Sequence, residues 1–95
     1  MVKVSLNGLT LAESDKTVVV EGNHYFPPDS VEKSLFSNSS TSTVCGWKGT
    51  AAYYDANVNN ILVKDVAWFY PEPKEKASNI KNYVAFYKNK VEIQE

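Results

Sequence analysis

The chain holds one cysteine, Cys45, and one histidine, His24, among 95 residues. A lone thiol excludes the intrachain disulfides on which small secreted domains depend, and so favours a reducing, cytoplasmic setting. One cysteine and one histidine also fall short of the ligand set of a structural zinc site, and there is no C-x-x-C pair and no compact carboxylate cluster for a harder cation. No metal and no cofactor are expected. Glycine and proline, four of each, are too few for a disordered chain. No run approaches the ~20 apolar residues of a membrane-spanning helix, so no membrane partner is expected. The alternating segment from Met1 to Asp15 does not read as a signal peptide. An excess of one charge is missing as well. Ten basic and eleven acidic residues leave a net charge of −1. The densest basic stretch, Lys74 to Lys90, has Glu75 within it and Glu72 beside it. That reads as a solvated face rather than a phosphate footprint, and no nucleic-acid partner is expected.

Apolar residues make up 43% of the chain against 22% charged. That supports one globular domain over residues 1–95, with a single core and little to spare at this length. Val2, Val4 and Leu6 alternate with polar residues, Asn7-Gly8 is a strong hairpin signal, and Leu9 and Leu11 resume the alternation, so a hairpin spans Val2 to about Ala12. Val18, Val19 and Val20 run without alternation, as in a strand covered on both faces. Asp29, with Glu32 three residues on, reads as a capped helix start with Val31 and Leu35 on one face. Ser37 to Ser42 reads as a polar loop. Thr43 to Val58 reads as a strand with a glycine-rich entry, Ala52, Tyr54, Ala56 and Val58 on one face and Ala51 and Tyr53 on the other. Ile61 to Tyr70 is a second long strand, stopped by Pro71 and Pro73. A short helix is expected from about Glu75 to Asn82, then strands at Tyr83 to Tyr87 and at Val91 and Ile93. The fold class is mainly β: antiparallel sheets packed as a sandwich or open barrel, with one or two short helices.

The stretch from Thr43 to Tyr54 is the densest in chemistry. It holds Cys45, Trp47, Lys48, Tyr53 and Tyr54 with glycines at 46 and 49. A Walker-type loop needs G-x-x-x-x-G-K-S/T, and here Gly49 separates Lys48 from Thr50, so that reading fails. Gly46 and Gly49 still let backbone approach a ligand closely, with Lys48 supplying positive charge. The alternative is a glycine bulge with Lys48 in solvent. Cys45 is a nucleophile candidate if a cation such as Lys48 lowers its pKa, and a small buried hydrophobe otherwise. His24 is the one histidine that could pair with it. Glu21, ending an apolar strand, either pairs with Lys48 or Lys74, or is an acid/base of raised pKa, or marks the exit to water.

The ordered blocks V-E-G-N-H-Y-F-P-P, T-V-C-G-W-K-G-T-A-A-Y-Y, A-W-F-Y-P-E-P-K and Y-V-A-F-Y, from about Val18 to Val91, resemble a small bacterial and fungal family of unknown function labelled nucleotidyltransferase-like. The resemblance implies a β-tent, two antiparallel sheets leaning over a cleft, similar to methionine sulfoxide reductase B. The zinc and reductase activity of such proteins depend on paired cysteines, which this chain lacks. No G-S-x-x-D-x-D pattern is present to hold catalytic magnesium. The family's signature positions fall on Glu21, Tyr25, Phe26, Pro27, Thr43, Cys45, Lys48, Gly49, Tyr53, Trp68, Tyr70, Pro71 and Tyr83. Members often show C-P-x-K-G, where this chain has Gly46 in place of proline.

The expectation is a pocket for a small molecule, anionic or nucleotide-like. Lys48 holds the anion, Tyr25, Tyr53, Trp68 and Tyr70 form the walls, and Glu21, Cys45 and Lys48 are the catalytic candidates. The competing reading is a non-catalytic assembly domain using an aromatic patch, with a homodimer as its simplest form.

Overall fold

The computed structural model describes residues 1–95. Nine strands form three sheets. Strands β1 (Val2–Leu6), β2 (Leu9–Ser14) and β9 (Glu92–Gln94) make a three-stranded sheet in the order β2-β1-β9. Strands β5 (Phe36–Cys45), β6 (Gly49–Val58), β7 (Ile61–Phe69) and β8 (Val84–Phe86) make a four-stranded antiparallel sheet in sequence order. Strands β3 (Val18–Val20) and β4 (Asn23–Tyr25) form a separate ribbon. Phe26 and Val84 exchange two backbone hydrogen bonds, of 2.8 and 2.9 Å, and so join that ribbon to the edge strand β8. No barrel closes. The remaining regular structure is three 3-10 turns, Pro28–Ser30, Lys33–Leu35 and Glu75–Ile80.

Turn chemistry explains the hairpins. Asn7-Gly8, Glu21-Gly22 and Asn59-Asn60 all have both central residues at positive φ. This is the turn whose twist matches that of the strands it joins. Asparagine tolerates that region because its short amide bonds locally, whereas glutamate has no such compensation.

The four-stranded sheet has two buried faces, and alternation along its strands sorts residues between them. One face packs against the three-stranded sheet. Val4 and Leu11 there meet Ala56, Val58, Val66, Val84 and Phe86, with Phe26 edge-on to Phe86 at 5.7 Å. The opposite face carries Ala51, Tyr53, Tyr70 and Ala85 and is covered by Tyr25 and by Ala77 and Ile80 of the last 3-10 turn. The expected split of Tyr54, Ala56 and Val58 from Ala51 and Tyr53 is therefore observed.

Several local expectations are corrected. Residues 37–42 are not a loop but lie within β5, which pairs with β6 at Ser37, Asn38 and Ser42 and shifts register in between. Most of their side chains face water on an edge strand, so no apolar period marks them. The chain does not run straight from Thr43 to Val58. Cys45 pairs with Gly49, and residues 46–48 turn the hairpin. The triple valine is not covered on both sides. Val19 is 58% exposed, while Val18 and Val20 face the second core. No capped helix starts at Asp29. Pro27 and Pro28 lead into a single 3-10 turn with no side-chain cap, and Val31 is extended. The Glu32 amide donates to the Leu11 carbonyl at 2.8 Å, which draws Val31 into the core beside β2. The later helix is a 3-10 turn over Glu75–Ile80, and Val84–Phe86 form β8 within the strand expected at Tyr83 to Tyr87.

A polar lattice ties the long strands where their register shifts. Asp55, buried at the β6–β7 irregularity, accepts the Asp65 amide at 2.8 Å and the Lys64 ammonium at 3.1 Å. Asp65, at φ 52°, accepts the hydroxyls of Ser39 and Thr41 at 2.5 and 2.8 Å. Those two bonds hold the Asp65 carboxyl below its usual range of about 3.8, the Ser39 bond most strongly. A depressed carboxylate contributes stability that is complete above its unfolded pKa and lost as pH falls through the folded value. Urea midpoints are therefore expected to fall as pH drops below about 4. In Asp65→Asn the midpoint should be lower at neutral pH and flatter on the acid side. An unchanged acid slope in that variant would remove Asp65 as a source.

Candidate functional site

The turn at residues 46–48 projects from the β5–β6 hairpin and is clamped from below. The Lys74 amide donates to the Lys48 carbonyl at 2.9 Å, and the Lys74 ammonium to the Gly46 carbonyl at 2.7 Å. Gly49, at φ 113°, passes so close to the 72–74 backbone that an added Cβ would lie 3.3 Å from the Glu72 carbonyl oxygen. Glycine is favoured here because the positive φ strains any L-residue and the added Cβ would crowd the Glu72 carbonyl oxygen. Gly46 meets nothing within 4 Å.

This clamp turns Lys48 inward. Lysine is among the residues least often buried, yet Lys48 is only 7% exposed. Its ammonium lies 5.4 Å from the Trp47 ring centroid and 5.6 Å from that of Tyr70, within cation–π range. Its ion-pair partner is Glu21, at the tip of the β3–β4 hairpin, whose side chain is 54% exposed. Burial pulls the Lys48 pKa down. The Glu21 hydrogen bond, with the Tyr25 and Tyr70 hydroxyls and the Glu21 charge, outweighs it, so the net direction is up. Glu21 moves the other way, lowered by the hydrogen bond from Lys48 and then by its charge. The raised-pKa acid is thus not what this environment makes of Glu21. It is an ionised carboxylate.

The aromatic residues expected as walls gather beside this pair. Tyr25, Tyr53 and Tyr70 are buried, and Trp68 and Cys45 pack against them. The Trp68 indole donates to the Tyr25 hydroxyl oxygen at 3.1 Å, with the rings edge-on at 6.2 Å. Indole N–H is an obligatory donor, so the Tyr25 oxygen is the acceptor and its own proton is left over. Tyr53 is held from two sides, by Thr43 at 2.9 Å and Tyr87 at 3.3 Å. The Tyr53 bond, and burial after it, push the Tyr87 hydroxyl up to about 12. None of the open cavities of the molecule is lined by Tyr25, Lys48, Tyr53, Trp68 or Tyr70. The group is a packed cluster with an exposed carboxylate over its cation.

The Cys–His pairing does not form. The two ring nitrogens of His24 are taken by Thr17, at 2.8 Å, and Glu95, at 3.3 Å. No three His, Cys, Asp or Glu side chains come together as a metal set. Sequence reasoning passed over Trp47 as a partner of the cation and the Asp55–Asp65 lattice. Adjacency to Lys48 was a usable signal for the first, and nothing in the spacing marked the second.

A family model described as a domain of unknown function, DUF427, matches residues 1–95. The chain belongs to that family. The nucleotidyltransferase label attached to it is a name only. A search of curated proteins gives no match. No helix is long and apolar enough to cross a membrane.

Proposed function

We propose that this small β domain binds a small anionic molecule at Lys48, and that Glu21 is the carboxylate the ligand displaces. One observation carries the reading. A buried ammonium, flanked by the Trp47 and Tyr70 rings, has as its only ion-pair partner a half-exposed carboxylate on a two-residue turn. The site supplies donors in excess: three N–H on Lys48 and the spare proton of Tyr25. Two further features support it. Glutamate stands at φ 52° where the other hairpins of this type use asparagine, an unfavourable backbone choice at the residue that carries the Lys48 partner. The displaced Glu21 would return to water, because it is already largely there. Tyr25 and Tyr70 form the inner wall, with Trp68 and Tyr53 fixing their positions. With Lys48 charged and Glu21 ionised, the pair offers a fixed cation and a swinging base rather than an acid. A Cys45 reaction finds no histidine to support it.

The test is a thermal-shift screen with inorganic phosphate, citrate, nucleotides and sugar phosphates on the wild type, Glu21→Gln and Lys48→Met. A ligand of the folded state raises the melting point by mass action. Glu21→Gln, which removes the internal competitor, is expected to bind the same anion at least about tenfold more tightly, the equivalent of about 1.4 kcal/mol. Lys48→Met keeps the buried stem and should abolish the shift. A purely structural ion pair would leave Glu21→Gln less stable and no more responsive to any anion, and that result would end the proposal.

A further inference from the structure

The opposite face of the four-stranded sheet carries a second feature that the Lys48 site does not use. Phe36, Tyr54 and Phe69 lie on neighbouring strands β5, β6 and β7. Tyr54 and Phe69 stack at 4.5 Å with 21° between planes, and Phe36 leans on Tyr54 at 5.6 Å. These rings extend the first core beyond the part that the three-stranded sheet covers, and they are only partly buried. The segment bearing Pro28, Val31 and Lys33 stands beside them, and a groove of about 380 Å³ remains between. That is within the size range of small-molecule sites.

The polar groups around this groove are unengaged. The Tyr54 hydroxyl has no hydrogen-bond partner in the chain and is not sealed from solvent. Asn38 and Asn82 reach the rim with side-chain amides free of internal bonds, and the Lys33 ammonium is in no ion pair. Its neighbour Glu32 is instead bonded by Ser34, at 2.9 Å. An aromatic wall, two free amides and a free cation around one hollow are complementary to a flat ring that has hydrogen-bonding edges and a negative charge at one end.

We infer that this groove is a binding site for a planar aromatic anion, with the ring lying along Tyr54 and Phe69, its edge read by Asn38 and Asn82, and its charge held by Lys33. It is separate from the Lys48 site, because Tyr54 and Phe69 alternate with Tyr53 and Trp68 and so face the other side of the sheet.

An amide-resolved NMR titration with 2-naphthoate, and with neutral 2-naphthalenemethanol as control, tests this. Saturable shifts are expected at the side-chain amides of Asn38 and Asn82 and at the ring protons of Tyr54 and Phe69 with naphthoate. The neutral alcohol should bind more weakly. Lys33→Glu should weaken naphthoate roughly tenfold, the size of one charge-assisted hydrogen bond, and leave the alcohol unaffected. Lys33 is exposed, so this variant is expected to fold. Lys48→Met should leave naphthoate binding unchanged. Non-saturating shifts, equal binding of acid and alcohol, or loss of binding in Lys48→Met would each overturn the assignment. The last would place the ligand at the other site.

Discussion

Phe26→Ala is expected to destabilise the domain by about 3–5 kcal/mol, the usual cost of removing a fully buried phenylalanine. The ring is completely buried between the two larger sheets and meets Phe86 edge-on at 5.7 Å. Its backbone also bonds Val84 in both directions, which is how the β3–β4 ribbon attaches to the main sheet. A cavity at this point therefore loosens both the core and the joint. For a domain of this size each kcal/mol lowers the melting point by about 4–8 °C, so a fall of at least about 12 °C should be seen by calorimetry. Phe26→Leu should restore much of it. A loss below about 1 kcal/mol for the alanine variant would mean that the core closes without this ring.

Gly49→Ala carries the second large effect, and its cause is backbone rather than packing. At φ 113° an L-residue is strained, and its Cβ would press on the Glu72 carbonyl oxygen at 3.3 Å. Relief requires the 46–48 turn or the 72–74 segment to shift, which stretches the Lys74–Lys48 backbone bond. A cost of about 1–3 kcal/mol is expected. Because Lys48 is the preceding residue, its ion pair with Glu21 should loosen too, and any anion-dependent thermal shift should shrink in parallel. Gly46→Ala is the matched control. It meets nothing and should stay within about 0.5 kcal/mol of wild type, as surface substitutions do. Equal melting points for the two variants would contradict the close approach at Gly49.

Some local features of the candidate site were legible in the residues. Gly46 and Gly49 signalled a close backbone approach beside Lys48, and Glu21 at a strand end was a possible partner for Lys48 or Lys74. Both readings rest on local chemistry, since a glycine's freedom and a carboxylate's charge belong to the residue itself. The alternation of Ala51 and Tyr53 against Tyr54 and Ala56 likewise follows from the pleat. The Asn7-Gly8 turn, the predominance of strands and the absence of paired cysteines were also set by the sequence alone.

Tertiary structure decided the rest. Residues 37–42 became a strand because β6 was there to pair with, although their own side chains gave no apolar period. Val31 became extended because β2 offered it a bridge. Which lysine Glu21 would hold, and whether a cavity lay over the tyrosines or over Phe36 and Phe69, depended on how far the sheets lean and which segment roofs each end. Those are sums over contacts distant in the chain. No local pattern encodes them, since each contact's free energy exists only once both partners are in place.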